Sequence, residues 1–152
     1  MTLNDIAKLP VGELAAPGCH LWLWTTNQFL RNGFDLIDSW GFKFLAPITW
    51  PKPSGFGAWW AHNTQTMLMA YRTPCEFNRD RYRNTWLPVS QPRRHSEKPE
   101  SSYELIESIS DTPRVELFAR PWSPLFPTRE GWDVWGNEIK SDKIAQLEQY
   151  VR

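Results

Sequence analysis

The chain has 152 residues, 41% hydrophobic and 14% aromatic, which suits one globular domain with a sizeable core. Lys plus Arg and Asp plus Glu number 17 each, so no global field draws in a polyanion and any nucleic-acid contact must come from a local patch. Cys19 and Cys75 are too few for a disulfide framework and stand in no metal-ligand spacing with the three histidines, so a reduced cytoplasm is expected, with no metal site.

The opening segment, MTLNDIAKLPVGELAAPG, lacks a basic start followed by an apolar run, and nowhere is there a stretch of about 18 apolar residues, so neither export nor a membrane span is expected. Leu3, Ile6, Leu9 and Leu14 recur at roughly helical spacing around Pro10, which predicts one or two short helical turns over Thr2 to Leu14. His20 to Thr25, HLWLWT, is a short apolar run of β-favouring residues and reads as a buried strand, with Thr26 or Asn27 able to cap a helix after it. Phe29, Leu30, Phe34, Ile37 and Trp40 then mark one face of that helix, which Gly41 ends.

Phe42 to Trp50 is the second expected strand, bent or at an edge because of Pro47, and PKPSGFG at 51–57 is a loop by composition. Thr66 to Arg72 reads as a third strand pairing with the second. Thr73 to Glu97 is the longest irregular stretch, and it interleaves Arg79, Arg81, Arg83, Arg93 and Arg94 with Phe77, Tyr82 and Trp86. That mixture could contact phosphates and stack a displaced base, or it could be a solvated surface loop diluted by Glu76, Asp80 and Glu97. Pro99 suits the first position of a helix with Tyr103, Ile106 and Ile109 inside. Arg114 to Arg120 is a fourth strand, Asp133 to Trp135 a short fifth, and residues 141–152 a terminal helix. Alternating strands and helices argue for a mostly parallel α/β sheet with an antiparallel hairpin.

In such a sheet ligands bind at the carboxyl ends of the strands. Arg120 lies there after Val115-Glu-Leu-Phe-Ala119, where a guanidinium could grip a carboxylate or a ribose hydroxyl and Phe118 could border an adenine ring, although a surface Arg at a strand end is equally ordinary. Lys98 precedes a helix start, so a bound anion would feel both its ammonium and the helix terminus, while a solvated Lys explains it as well. Asn137 and Glu138 pair an amide with a carboxylate, which suits the hydroxyls of a ribose or a loop cap. Most of the ten tryptophans read as packing, and base stacking suits only those on loops. Gly55-Phe-Gly57-Ala-Trp59-Trp60 lacks the third Gly and the Lys-Ser/Thr of a phosphate loop and is set aside.

Taken in order, Leu3 to Pro10, His20 to Asn27, Trp40-Gly-Phe, Ile48-Thr-Trp-Pro-Lys52, Arg94-His-Ser-Glu-Lys-Pro99, Glu116-Leu-Phe-Ala-Arg120 and Gly131-Trp-Asp-Val-Trp-Gly-Asn-Glu138 resemble the MT-A70 family of S-adenosyl-L-methionine-dependent adenine N6-methyltransferases, in its bacterial or phage-type branch. The resemblance implies a Rossmann-like methyltransferase sheet in a single domain over 1–152. It places Lys98, Phe118, Arg120, Asn137 and Glu138 on cofactor-binding positions and Asn63 near the target base, with Arg79, Arg81, Arg83 and Arg94 as further nucleic-acid candidates. The implied partner is adenine-containing nucleic acid, DNA favoured over RNA, with homo- and heterodimers both open.

The Asp-Pro-Pro-Trp tetrad that carries the chemistry in that family is missing, since no Asp is followed by Pro and no two prolines are adjacent. The resemblance puts it on a strand upstream of the segment matching Thr2 to Leu14, so an N-terminally incomplete domain is expected. Without that strand the sheet should show exposed edges or a gap. No other carboxylate with a neighbouring Pro carbonyl and aromatic ring replaces it, which leaves the catalytic residues unknown. The residues admit three readings: a truncated or split methyltransferase domain, a non-catalytic binding subunit that keeps the fold, and a degenerate fragment.

Overall fold

The computed structural model describes residues 1–74, 84–92, 97–121, 129–136 and 139. The chain divides into two units, Met1–Ile109 and Ser110–Arg152. The expected terminal helix at 141–152 and Arg79, Arg81, Arg83, Arg94, Asn137 and Glu138 lie outside the described residues.

In the first unit a three-stranded sheet runs β1 (His20–Thr26), β3 (Thr64–Tyr71), β2 (Lys43–Pro51), with β3 antiparallel to both neighbours. The expectation that β3 pairs with β2 holds, but it pairs with β1 as well. The helix α3 (Leu30–Ser39) carries the chain from β1 to β2 in the manner of a crossover, so those strands point the same way. They are not neighbours, because β3 occupies the space between them, and the larger sheet is therefore antiparallel rather than mostly parallel. A continuous apolar centre in TQTMLMAY permits this, since Met67, Leu68, Met69 and Ala70 are all buried and can face covering layers on both sides.

Registers fix the two faces. Trp22, Trp24 and Thr26 share a face with Met69, Met67 and Gln65 and with Ala46, Ile48 and Trp50, while Leu21, Leu23 and Thr25 share the other with Ala70, Leu68 and Thr66. A bulge between Phe44 and Ala46 shifts β2 by one residue, and Phe44 meets Phe34 of α3 edge-on at 4.9 Å between ring centroids. Ile37 and Trp40 are buried, as the spacing predicts; Leu36, which it does not mark, is buried too, and Phe29 is exposed. Gly41 with φ 77° turns the chain out of the helix. Neither Thr26 nor Asn27 caps by its side chain: Asn27–Phe29 is a single 3-10 turn, and the Asn27 Nδ2 donates to Thr64 Oγ1 at 3.2 Å, tying the end of β1 to the start of β3. Outside β2, Thr85 and Leu87 exchange backbone hydrogen bonds with Thr49, so part of that edge is covered.

The N-terminal helical turns α1 (Leu3–Ala7) and α2 (Val11–Leu14) are too short to stand alone. Thr2 and Asp5 form a capping box on α1, and the Thr2 backbone N–H, with its hydroxyl, holds the Asp5 carboxyl below the usual range. Arg72, just past β3, donates to the carbonyls of Gly12 and of Ala15, the latter at 2.8 Å, and Trp40 Nε1 donates to Ala7 O at 3.3 Å. The helix α4 (Glu100–Glu107) has Pro99 as its N-cap rather than its first residue, and the buried Ser102 hydroxyl donates to the Pro99 carbonyl at 2.7 Å.

The second unit holds a parallel pair, β4 (Arg114–Leu117) with β5 (Trp132–Trp135). β4 ends three residues earlier than expected because Phe118 adopts a left-handed backbone with φ 62°. Hydrogen bonds from a guanidinium to carbonyls contribute about 1.5–3 kcal/mol each, and the half-buried Arg72 makes two. We expect Arg72→Ala to cut hydrogen-exchange protection across residues 1–18 while the sheet amides keep theirs; equal loss in both would show that the segment is not held by this contact.

Candidate functional site

The carboxyl ends of β1 and β2 and the start of β3 meet at one end of the first sheet. Trp24 and Trp50 are the last tryptophans on their strands and lie on the same face, so their rings meet edge-on with centroids 6.0 Å apart. Trp50 is almost wholly buried, its Nε1 donating to Ser90 Oγ at 3.0 Å. Each ring carries a cation: Lys98 Nζ lies 4.9 Å from the Trp24 centroid and Lys52 Nζ 5.6 Å from that of Trp50. Gln65, on the same face, accepts from Lys98 Nζ at 2.8 Å.

Burial pushes the Lys98 ammonium down to about 8, and repulsion from Lys52 acts in the same direction. An indole face and an amide oxygen stabilise a cation less than a carboxylate does, so this corner holds positive charge at a cost. A small anion entering it would relieve that cost. Asn63, expected near the base, is exposed at the root of the β2–β3 loop, where its carbonyl accepts from the Lys52 N–H at 2.7 Å.

In the second unit Phe118 and Arg120 stand at the carboxyl end of β4. The left-handed backbone costs a bulky residue about 1–3 kcal/mol, which surrounding structure must over-determine. Here it is held by the next residue: Ala119 is buried, its N–H donating to Trp135 O at 2.9 Å, and the Phe118 ring meets Trp135 edge-on at 5.5 Å while staying half exposed. Gly136 is required beside it, since a Cβ there would fall 2.2 Å from Ala119 O. Arg120 is exposed at the same strand end. Of the five residues expected for the cofactor, Phe118 and Arg120 therefore share one strand end, Lys98 belongs to the first unit, and Asn137 and Glu138 lie outside the described residues.

Sequence reasoning passed over Trp24, Trp50, Lys52 and Gln65 as site residues. The available signal was parity: Trp24 and Trp50 each stand near the carboxyl end of a strand, and Lys52 is the next residue of the same parity after Trp50. It could not be used without the register of β3, which alone brings Gln65 onto the same face.

A model of the MT-A70 family matches residues 1–138. The chain belongs to the MT-A70 family. Among similar proteins, one from Medicago truncatula, named as an MT-A70-like N(6)-adenosine-methyltransferase, is 30% identical over 95% of this chain and 24% of its own length. The type II methyltransferase M.MunI of Mycoplasma sp is 29% identical over 95% of this chain and 60% of its own length. The human N(6)-adenosine-methyltransferase catalytic subunit METTL3 is 26% identical over 98% of this chain and 27% of its own length. The chain thus spans about a quarter of the two larger relatives and well over half of the bacterial one. Among the described residues no helix is long and apolar enough to cross a membrane, and no group of three or more His, Cys, Asp or Glu could hold a metal ion.

The lowered ammonium makes a testable statement about stability. Between about pH 8 and 10.5 the unfolded state binds more protons at Lys98 than the folded state, so stability rises with pH across that window; below 8 the full cost of burying the charge is present. We expect Lys98→Met to remove this slope, its stability relative to the parent being greater at pH 7 than at pH 10.5 by about 3 kcal/mol. Parallel urea-unfolding curves of the two proteins between those pH values would sink the assignment.

Proposed function

We propose that this MT-A70 chain is the cofactor-binding part of an S-adenosyl-L-methionine-dependent methyltransferase acting on the N6 amine of adenine in nucleic acid, with DNA favoured over RNA. A Rossmann-like methyltransferase sheet is the fold this reading assigns to the full domain. The observation that carries it is the MT-A70 match over residues 1–138, and each unit by itself offers suitable groups: the first a partly buried ammonium with no carboxylate partner among the described contacts, the second a strained, half-exposed aromatic ring followed by a guanidinium at a strand end.

By the family resemblance, these groups answer one by one to the parts of an amino-acid nucleoside. Lys98 would take the carboxylate, Phe118 would border the adenine ring, and Arg120 would hold a ribose hydroxyl or a carboxylate, with Asn137 and Glu138 assigned to the ribose. Bound S-adenosyl-L-methionine supplies an electrophilic methyl group on a sulfonium. Asn63 is assigned a place near the target base, and Arg79, Arg81, Arg83 and Arg94 to phosphate contacts.

The exocyclic amine of adenine is a poor nucleophile because its lone pair is delocalised into the ring. Accepting its protons requires a carboxylate and a carbonyl placed beside the base, and no Asp-Pro-Pro-Trp occurs in these residues. Turnover therefore needs those acceptors from a further segment or from a partner subunit, as a homo- or heterodimer would provide. The same gap favours a second reading, a non-catalytic subunit that keeps the fold and binds nucleic acid.

Calorimetry on this chain tests the main reading. We expect S-adenosyl-L-methionine to bind, and Lys98→Met to weaken it roughly ten- to a hundredfold by loss of a charge-assisted contact. The difference between parent and variant should shrink as pH rises above about 8, where Lys98 loses its proton in the free protein. No heat at millimolar ligand would count against the reading. Methyl transfer to an adenine-containing oligonucleotide by this chain alone, at a rate typical of enzymes, would overturn the part assigned to the missing tetrad.

A further inference from the structure

The loop between β2 and β3 exposes three large aromatic rings to solvent, Phe56 at 92%, Trp59 at 93% and Trp60 at 80%. These rings do not hold the loop together, because its own backbone does. The Lys52 N–H donates to Asn63 O at 2.7 Å and the His62 N–H to Phe56 O at 3.3 Å, closing the loop across its base and middle. Gly55 and Gly57 let the two arms touch: a Cβ on Gly55 would lie 2.5 Å from Asn63 N, and one on Gly57 2.0 Å from Trp60 O. The glycines that fail as a phosphate loop are thus explained by close packing of the loop on itself.

We infer that Phe56, Trp59 and Trp60 form a preorganised platform that stacks unpaired bases of a single-stranded nucleic acid. This rests on the proposed action at adenine in nucleic acid and names the form in which the substrate is held. Large rings held in water by a closed loop are costly unless a partner covers them. The charge pattern selects that partner as a polyanion: the sequence has no Asp or Glu between Asp38 and Glu76, and Lys52, within that stretch, stands at the base of the loop. The loop also leaves the carboxyl end of β2, the end of the sheet where Lys52 and Lys98 sit on their indoles. Stacking is tolerant of sequence and needs bases freed from a duplex, as chemistry on an exocyclic amine also requires.

Fluorescence anisotropy of a labelled single-stranded oligodeoxynucleotide, its ribose counterpart and the duplex, titrated with the whole chain, tests this. We expect tighter binding to single strands than to duplex, loss of about tenfold or more in W59A/W60A, and most of the affinity kept in W59F/W60F, whose rings still stack. Because the replaced rings are exposed, the thermal midpoint should be unchanged, and F56A provides an independent variant on the same loop. Duplex bound as well as single strand, no single-strand binding, or full affinity in W59A/W60A and F56A would each overturn the inference. Sedimentation showing self-association that the same variants abolish would overturn it in favour of a second copy as occupant. Calorimetry with S-adenosyl-L-methionine on the same samples separates the two proposals. Cofactor binding without ring-dependent binding of single strands sinks the platform alone, and ring-dependent binding without cofactor binding sinks the enzymatic reading alone.

Discussion

Strand β3 has hydrogen-bonding groups on both edges and apolar side chains on both faces, and it can satisfy both only in the interior of a sheet. Everything at the site depends on that placement. With β3 between them, β1 and β2 run parallel without touching, their carboxyl ends falling at the start of β3. Trp24, Trp50 and Gln65 then share one face, and Lys98 can reach both an indole and an amide. Had β2 paired directly with β1, Gln65 would not stand between the two tryptophans.

The second unit solves a related problem by different means. There the strand end is shaped by backbone strain rather than register. Phe118 is forced into a left-handed conformation because Ala119 must turn inward to bond Trp135 and lie against Gly136, where no side chain fits. The strain leaves the ring half exposed and resting edge-on against Trp135, and it hands the chain to Arg120 outside the strand. A residue in a more relaxed conformation would continue the strand and point its ring elsewhere.

Local elements were legible in the residues because they depend on short-range rules. The apolar spacing of α3, the β-favouring run of β1 and the closing role of Gly41 are each properties of a few neighbouring residues. The order of the strands was not legible in this way, since a strand–helix–strand pattern predicts parallel neighbours and says nothing of a third strand taking the gap. Lys98, Phe118 and Arg120 were singled out as candidates through an ordered set of short motifs. Lys52 and the tryptophans were missed because an aromatic on a strand is usually packing, and only the register distinguishes an indole under a cation. The early end of β4 was missed for a similar reason: no propensity rule places Phe at positive φ, and only the contact between Ala119 and Gly136 demands it.

Lysine is strongly hydrated, so seating Lys98 against an indole gives up water for weaker partners, and the fall of its pKa to about 8 measures that loss. A carboxylate neighbour would have removed the penalty, but it would also have to be displaced by any incoming anion. Indole and amide impose no such competition. Under the proposed function, this cost is borne by the free chain and would be relieved by the cofactor carboxylate, so the residue that weakens the fold would strengthen binding. The same balance applies to the rings of the β2–β3 loop, whose exposure costs hydration in the free chain and is recovered on stacking. Both features place free energy where a ligand can collect it, and both gather at the end of the sheet that β3 defines.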